Sequence, residues 1–293
     1  MMEYDLSAQN ILITGANSGI GKAAAIQLAR CKANVMIACR SLERGMAARD
    51  EILQVSNGGS VDLMQIDLSS LSSIRRFASE FLSRYTRLDV LIHNAANFDL
   101  SMKKPVLTPD GLETIFATNH VGPFLLTWLL LDLLKASSPS RIITVASKGL
   151  TMYPNLDIEF DNLQGTRRFS PQHAYYHSKL AQVMFTYDLA GRLKGTGVTV
   201  NCVRVTSVAL PDDRLAEYPA WLQKIYNMKR RMSITPEQQA QTYVYLAADP
   251  EVAGITGGYW DEHNKQVRSS KNSYRVETWK RLWAETGKMA GIF

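Results

Sequence analysis

Two neighbouring tyrosines, Tyr175 and Tyr176, precede Lys179 in the segment HAYYHSKLAQ. On a helix both spacings bring a phenol near the ammonium, because residues three and four apart share a face. A phenol with a pKa of about 10 exchanges protons poorly at neutral pH, and a neighbouring ammonium lowers that pKa. The spacing therefore indicates an acid–base tyrosine, but it does not say which of the two. A lone pair of this kind is more often a packing or surface feature, so the prediction depends on its surroundings.

A glycine-rich segment, TGANSGIG, follows the first apolar run of the chain and precedes a helical pattern. Small residues let the backbone turn tightly and approach a diphosphate, which the N–H groups and dipole of a helix start attract. Its place between a strand and a helix is the one that a dinucleotide loop requires, although the spacing differs from the common GxGxxG. The predicted cofactor-binding residues of this loop are Gly15, Asn17, Ser18, Gly19, Ile20 and Gly21.

The end of the second predicted strand reads IACRSLERG and indicates which nucleotide binds. NAD sites place a carboxylate here for the ribose hydroxyls, whereas NADP sites place an arginine for the 2′-phosphate. This chain has Arg40 and Ser41, and the guanidinium fork matches a phosphate. We therefore predict NADP(H) as the cofactor, with a solvated arginine at a strand end as the alternative.

Apolar, β-branched runs alternate with longer amphipathic stretches along the chain. The strand runs are continuously apolar, which is typical of parallel strands covered on both faces. Six such runs are present, and a seventh strand is expected near GGYW at 257–260. The alternation predicts an α/β fold of the Rossmann type: a doubly wound, seven-stranded parallel sheet with helices on both faces. No linker divides the chain, so we predict a single domain over 1–293.

Two segments interrupt the alternation, an insertion at 148–170 and a stretch at 205–234. Both follow strands, at the carboxyl edge where ligands bind in such sheets. Segment 205–234 carries apolar residues at helical spacing, which predicts a substrate lid. A surface helix over the core, or a helix resting on a membrane, would show the same pattern.

Composition narrows the class of protein. With 46% apolar and 20% charged residues, the chain is typical of a folded globular protein rather than a disordered one. No apolar run reaches the roughly 18 residues of a membrane span, and the first residues lack a signal-peptide pattern. Three cysteines show no metal spacing, and the small basic clusters behind the net charge of +6 lack interleaved aromatics. We therefore predict a cytoplasmic location, no metal and no nucleic-acid partner.

In their order along the chain, these motifs resemble those of the short-chain dehydrogenase/reductase family. The match covers nearly the full length, and the ending GGYWDEHNKQVRSS is similar to the retinol-dehydrogenase-like branch, which also contains the oxidoreductase part of WW-domain oxidoreductases. The residues that carry the resemblance are TGANSGIG, Asp67 and Leu68 after the third strand, HNAA at 93–96, Asn119, Ser147, Tyr175 and Lys179.

The resemblance implies catalytic roles for Asn119, Ser147, Tyr175 and Lys179. Tyr175, four residues before Lys179, would exchange the proton with the substrate oxygen, while Tyr176 would occupy a variable position. Lys179 would lower the pKa of the tyrosine and bind the nicotinamide ribose, Ser147 would hydrogen-bond the substrate oxygen, and Asn119 would hold a water that relays protons. The further implied cofactor contacts are Asp67, Leu68, Asn94, Ala95, Ala96, Tyr175, Lys179, Val205 and Thr206.

The chain departs from the family's pattern after the sixth strand. VRVTSVALPDD places Val205 and Thr206 where the branch usually has Pro-Gly, and Leu210 where it has a threonine. We therefore consider two hypotheses for the function. The first is an NADP(H)-dependent oxidoreductase that interconverts a carbonyl and an alcohol on an apolar small molecule. The second is a nucleotide-binding regulatory or scaffold protein with weak or no turnover.

The resemblance also implies a homodimer, formed through the helices near 123–134 and 172–194. Leu126, Leu130 and Leu134 recur every four residues and would supply the apolar stripe of that interface.

Overall fold

Seven parallel strands form one sheet in the computed structural model, which describes residues 4–209, 220, 223 and 233–293. Their order is β3-β2-β1-β4-β5-β6-β7. The predicted doubly wound parallel sheet is confirmed, including the short seventh strand. The strands are β1 Asn10–Thr14, β2 Asn34–Cys39, β3 Val61–Gln65, β4 Val90–His93, β5 Ser140–Ser147, β6 Val198–Val205 and β7 Tyr259–Trp260.

Helices cover both faces of this sheet. A π-helical turn, Ala117–Val121, connects two of them, and a 3-10 helix, Lys148–Met152, follows β5 directly. The α-helices are α1 Gly19–Arg30, α2 Leu42–Val55, α3 Leu71–Arg84, α4 Thr114–Phe116, α5 Gly122–Ala136, α6 Pro171–Arg192, α7 Pro236–Ala248 and α8 Val276–Met289.

The core lies in two layers, one on each side of the sheet. Successive strand side chains point to opposite faces, so Ile11 and Ile13 pack with Leu28 of α1 and Tyr243 of α7, whereas Leu12 joins the core beneath α3, α5 and α6. All these side chains are buried. Coverage on both sides explains why the strands are continuously apolar.

Helix α8 was not predicted from the sequence, and it covers the outer side of α5 and α6. The Trp283 ring lies 4.8 Å from that of Phe124 and 6.1 Å from that of Phe185. The Arg192 guanidinium lies over the Trp283 ring, 3.9 Å from its centroid. The chain thus packs its own C-terminal helix on the face that the family resemblance assigned to dimerisation.

The predicted dimer stripe on α5 is wrong. Leu126, Leu130 and Leu134 are 0% exposed and face the core, where α3 packs against α5. Helix α5 is apolar on most sides, so the spacing of these leucines could not show which side of the helix packs against the core. The oligomeric state itself stays a prediction.

Within the described residues, one helical stretch, Thr114–Ala136, is long and apolar enough to cross a membrane. Its most apolar window is 72% buried inside the fold. A core helix meets the same criteria of length and composition.

The insertion at 148–170 begins as the 3-10 helix and then runs as turns to Ser170, which caps α6. The predicted lid, 205–234, lies mostly outside the described residues, as does Leu210. Its two ends are joined by a bridge between Val208 and Ile234 and by the hydroxyls of Ser207 and Ser233, 2.8 Å apart. The lid stays a prediction.

Helix α7 begins with a capping box, which gives a stability prediction. The Thr235 hydroxyl accepts from the Gln238 N–H, and the Gln238 side chain accepts from the Thr235 N–H. Thr235→Ala should lower the free energy of unfolding by about 1 kcal/mol in urea titrations, because the Gln238 N–H loses the hydroxyl that accepts its hydrogen bond. Thr235→Ser keeps the oxygen and serves as the control. An equal loss in both variants would contradict the role of the cap.

Candidate active site

The loop between β1 and α1 has glycines where side chains do not fit. Gly15 has φ +67°, and a Cβ there would lie 2.8 Å from the Cα of Ala95. A Cβ on Gly21 would lie 2.3 Å from Nδ2 of Asn94. At Gly19, φ is +56° and no atom of the described residues lies within 4 Å of where its Cβ would be. The backbone there is open beside the first N–H groups of α1, which fits a diphosphate.

The two residues after β4 hold this loop in place. Asn94 Nδ2 donates to the carbonyls of Thr14 and Gly15 at 2.9 and 3.1 Å. The Ala95 N–H donates to Thr14 Oγ1 at 3.1 Å, and the buried Tyr243 hydroxyl donates to Asn94 Oδ1 at 3.2 Å. Asn94 and Ala95 therefore shape the loop, while Ala96 is exposed beyond it. Tyr243 belongs to α7 and was not predicted as part of the site.

The predicted 2′-phosphate residues follow β2, at the same edge of the sheet. Arg40 is exposed, and Ser41 caps α2 by accepting from the Arg44 N–H at 3.3 Å. Glu43 lies in the first turn of α2, and in the described part of the chain no ion pair joins it to Arg40. The Arg40 guanidinium can therefore meet a phosphate with both of its forked donors.

Asp67 and Leu68 follow β3 at this edge. The Asp67 carboxylate accepts from the N–H and the hydroxyl of Ser69, at 2.9 and 2.6 Å. Leu68 is buried, and its carbonyl lies 2.4 Å from where a Cβ on Gly122 would be. Both residues shape the turn, and the Asp67 backbone lies beside the predicted nucleotide site.

The structure separates the two tyrosines of the YYHSK segment. Tyr176 is 8% exposed, its ring is 4.7 Å from that of Tyr153, and burial raises the pKa of its phenol. Tyr175 is partly exposed, with its ring 4.2 Å from that of Phe98 and 5.6 Å from Nζ of Lys179. Tyr175 is thus the tyrosine that lies beside the ammonium at an open surface, whereas Tyr176 packs in the core.

Lys179 is buried beneath the end of β5. Its Nζ donates to the Val145 carbonyl at 2.8 Å, and burial lowers its pKa to about 8. Ser147, two residues along, ends the strand, and its Oγ accepts from the Gly149 N–H at 3.1 Å. Because that bond uses a lone pair, the Ser147 hydroxyl hydrogen stays available for a ligand.

Asn119, in the π-helical turn, connects several parts of the site. Its Oδ1 accepts from the Asn97 N–H at 2.6 Å, and its Nδ2 donates to the Asn97 carbonyl and to Ser178 Oγ, both at 3.0 Å. Ser178 Oγ donates in turn to the Tyr175 carbonyl at 2.7 Å. The Asn119 carbonyl accepts from Gln182 Nε2 at 2.5 Å. Ser178 and Gln182 were missed, although each lies three residues after a predicted site residue on α6.

The residues after β6 reach the same edge. Val205 pairs with Ser147 in the sheet, and the Thr206 N–H donates to Oε1 of the buried Gln239 at 3.0 Å. Gln239, on α7, was also missed. The side chain of Gln239 thus holds the backbone in the turn where the family usually has Pro-Gly.

Buried histidines around the site make the stability of the fold depend on pH. Burial lowers the pKa of His93 and His120 to about 3 and that of His177 to about 4. Unfolding returns each pKa to about 6.5, so the unfolded chain binds more protons below that pH. The stability that these neutral rings contribute is complete above pH 6.5 and is lost as the pH falls through the folded-state pKa values, about 4 for His177 and about 3 for the other two.

We expect the free energy of unfolding to fall with pH below about 6.5, by up to roughly 1.4 kcal/mol per pH unit for each histidine. His177 Nε2 accepts from the Glu159 N–H at 2.9 Å, a bond that a glutamine oxygen can also accept. His177→Gln should therefore flatten the slope between pH 6.5 and 4.5 in urea titrations. An unchanged slope would contradict the prediction.

The family model for short chain dehydrogenases matches residues 9–157. The chain belongs to the short chain dehydrogenase family. This short chain dehydrogenase is similar to human retinol dehydrogenase 14, with 38% identity over 301 residues that cover 98% of this chain and 88% of the relative. It is also similar to mouse retinol dehydrogenase 11, with 39% identity over 281 residues that cover 96% and 86%. The predicted family and its retinol-dehydrogenase-like branch are confirmed.

Solved structures agree with the fold of this short chain dehydrogenase. An uncharacterised protein from Mycobacterium paratuberculosis matches with a TM-score of 0.74 and 27% identity, covering 99% of this chain and 96% of that one. A short chain dehydrogenase from Shigella flexneri, solved as a complex with NADP, matches with a TM-score of 0.69 and 24% identity, covering 89% and 99%. At that identity the second match supports the fold alone.

Proposed function

We propose that the protein is an NADP(H)-dependent oxidoreductase that interconverts a carbonyl, in a ketone or aldehyde, and an alcohol on an apolar small molecule. The observation that carries the proposal is the placing of Tyr175. Its ring is partly exposed and lies 5.6 Å from the buried Lys179 ammonium, while its neighbour Tyr176 is packed in the core. Membership of the short chain dehydrogenase family supports the oxidoreductase class.

The proposed proton transfer runs through three side chains. Tyr175 gives its proton to the carbonyl oxygen in reduction and takes it from the alcohol in oxidation. With a pKa of about 8, Lys179 is still mostly charged at neutral pH and stabilises the negative charge that develops on the Tyr175 oxygen. Ser147 donates its hydroxyl hydrogen to the same substrate oxygen. The nicotinamide, when bound, supplies or accepts the hydride.

Asn119 is proposed to act through its backbone carbonyl and through its position. Both atoms of its side-chain amide already bind Asn97 or Ser178. The carbonyl accepts one bond from Gln182 and keeps a second lone pair, which could hold the relay water.

NADP(H) is proposed as the cofactor because no acid directly follows β2 and Arg40 is exposed there. Its diphosphate would lie on the loop of residues 15–21, where the glycine geometry and the start of α1 fit an anion. Val205 and Thr206 would complete the nicotinamide end of the site.

The substrate is proposed to be apolar, since the Phe98 ring lies 4.2 Å from that of Tyr175 at the open side of the site. The test is NADPH oxidation with a panel of apolar aldehydes and ketones, together with NADP⁺ reduction by the matching alcohols. Turnover on at least one pair supports the proposal.

A second candidate is a nucleotide-binding regulatory or scaffold protein. The Val205–Thr206 pair favours it, because the turn that usually grips the nicotinamide is held here by Gln239 instead of a Pro-Gly pair. Binding of NADPH without turnover on any member of the panel would support this candidate.

Location and assembly are proposals of the same kind. We propose a cytoplasmic protein, which cell fractionation tests, and a homodimer, which light scattering at micromolar concentration tests. Any such dimer needs an interface other than the buried leucines of α5.

A further inference from the structure

Charged side chains connect the ends of three neighbouring strands beside Ser147. Lys148 directly follows Ser147, and its Nζ lies 2.6 Å from Oε1 of Glu262, two residues after β7. Oε2 of Glu262 lies 3.5 Å from Nη2 of Arg204 on β6. Asp261 Oδ2 lies 3.7 Å from the same nitrogen. Glu262 therefore bridges the ends of β5 and β6 from the loop that follows β7.

This bridge is mostly shielded from water. The side chains of Glu262 and Arg204 are 9% and 14% exposed, and only Lys148, at 44%, reaches well into solvent. Replacing Glu262 leaves the shielded Arg204 with only the more distant carboxylate of Asp261 and leaves Lys148 without this partner, which is unfavourable. The bridge therefore resists separation of the three chain segments.

The sheet pairs β5 with β6 as far as Ser147 and Val205, whereas β7 pairs with β6 over two residues only. Strand β7 has two residues, Tyr259 and Trp260, so its ladder to β6 is short. The turn at 205–206 lacks the usual Pro-Gly pair. The ion pairs of Glu262 add a side-chain connection between the loop after β7 and the strand end that carries Ser147.

Lys148 and Ser147 belong to one turn, so the position of one sets that of the other. Lys148 is the first residue of the 3-10 helix that Ser147 caps, and the Ser147 Oγ accepts from the Gly149 N–H in that helix. A shift of Lys148 would therefore displace the Ser147 hydroxyl, which the proposed function assigns to the substrate oxygen.

We propose that Glu262 is a positioning residue for Ser147, and that it acts through Lys148. The kinetic consequence rests on the proposed function. The contact should affect the chemical step more than NADPH binding. The phosphate loop and Arg40, which would hold the phosphates, lie after β1 and β2, and only the nicotinamide end at Val205 and Thr206 lies beside β6.

The kinetic test is a double-mutant cycle of Glu262→Gln and Lys148→Met in the full-length protein. Each single variant should lower kcat by about tenfold, the lower range for one lost charge-assisted contact, because Lys148 is partly exposed. The substrate KM and the Kd for NADPH should stay within about twofold of the wild type. The double variant should lose no more than either single one, because the two residues act as a unit. Glu277→Gln removes an exposed ion pair with Lys280 on α8 and is the matched control.

Hydrogen exchange at the Gly149 amide provides a readout that needs no turnover. Exchange should be faster in Glu262→Gln than in the wild type and unchanged in Glu277→Gln. If Glu262→Gln does not fold, Lys148→Met tests the same contact from its exposed side. Unchanged exchange would overturn the proposal even if no substrate is found, which separates its failure from that of the proposed function. Additive losses in the cycle, or an unchanged kcat, would also overturn it.

Discussion

Tyr175→Phe should lower kcat by about 10²–10⁴-fold, the range typical of removing a general acid–base group. The substitution keeps the ring that packs against Phe98 and removes only the hydroxyl, so the fold and nucleotide binding should persist. Tyr176→Phe should leave kcat within about twofold, because that phenol is buried beside Tyr153. Both variants are compared with the wild type by NADPH oxidation at saturating substrate.

Tyr176→Phe is the matched control for Tyr175→Phe. The two substitutions are chemically identical and lie one residue apart, so any general effect on helix α6 should appear in both. A loss in Tyr176→Phe comparable to that in Tyr175→Phe would show that the assignment of the proton donor is wrong.

The wild type should prefer NADP(H) to NAD(H) by at least about tenfold in kcat/KM. A 2′-phosphate presents oxygens that Arg40 can bind bidentately, and one charge-assisted contact contributes roughly 1.5–3 kcal/mol. Arg40→Asp should reverse the preference, because it replaces attraction of the phosphate with repulsion and restores an acceptor for the ribose hydroxyls.

The measurement is kcat/KM with both cofactors in the wild type and in Arg40→Asp. Lys22→Met is a suitable control, because Lys22 lies on α1 and forms an ion pair with Glu51 at 2.7 Å. Its loss should not reverse the preference for NADP(H) over NAD(H). Equal use of NADP(H) and NAD(H) by the wild type would contradict the assignment of Arg40.

The sheet and the phosphate loop could be predicted because their signals are local. A continuously apolar strand such as β2 can be recognised from its own six residues. The glycines at 15 and 19 have positive φ, and the glycine at 21 leaves room for Asn94, so each is required by the local backbone. The choice between Tyr175 and Tyr176 was not local. Both tyrosines stand at a helical spacing from Lys179, so the choice between them depended on the family resemblance. The structure then showed the Tyr175 ring partly exposed and the Tyr176 ring buried.

What the sequence could not show depends on contacts between distant segments. Helix α8 has the periodicity of many surface helices, and nothing in it reveals that Trp283 packs against α5 and α6. Gln239 and Tyr243 support the site from α7, more than thirty residues beyond the turn at Thr206 and about 150 residues beyond Asn94. The leucine repeat of α5 was assigned to the dimer interface although it faces the core. An almost wholly apolar helix has no polar face to show which of its sides is exposed.

The bonds from Asn94 and Ala95, directly after β4, to Thr14 and Gly15 at the start of the phosphate loop join residues 79 to 81 positions apart in the chain. The loop takes its shape only when these distant segments have come together, so a nucleotide that binds there recognises the folded chain and not the unfolded one. Mass action then shifts the folding equilibrium by about 2.7 kcal/mol when the nucleotide is at a hundred times its Kd. The lifetime of the protein against cellular proteases would therefore follow the supply of its nucleotide, and the chain would be degraded faster in a cell depleted of it.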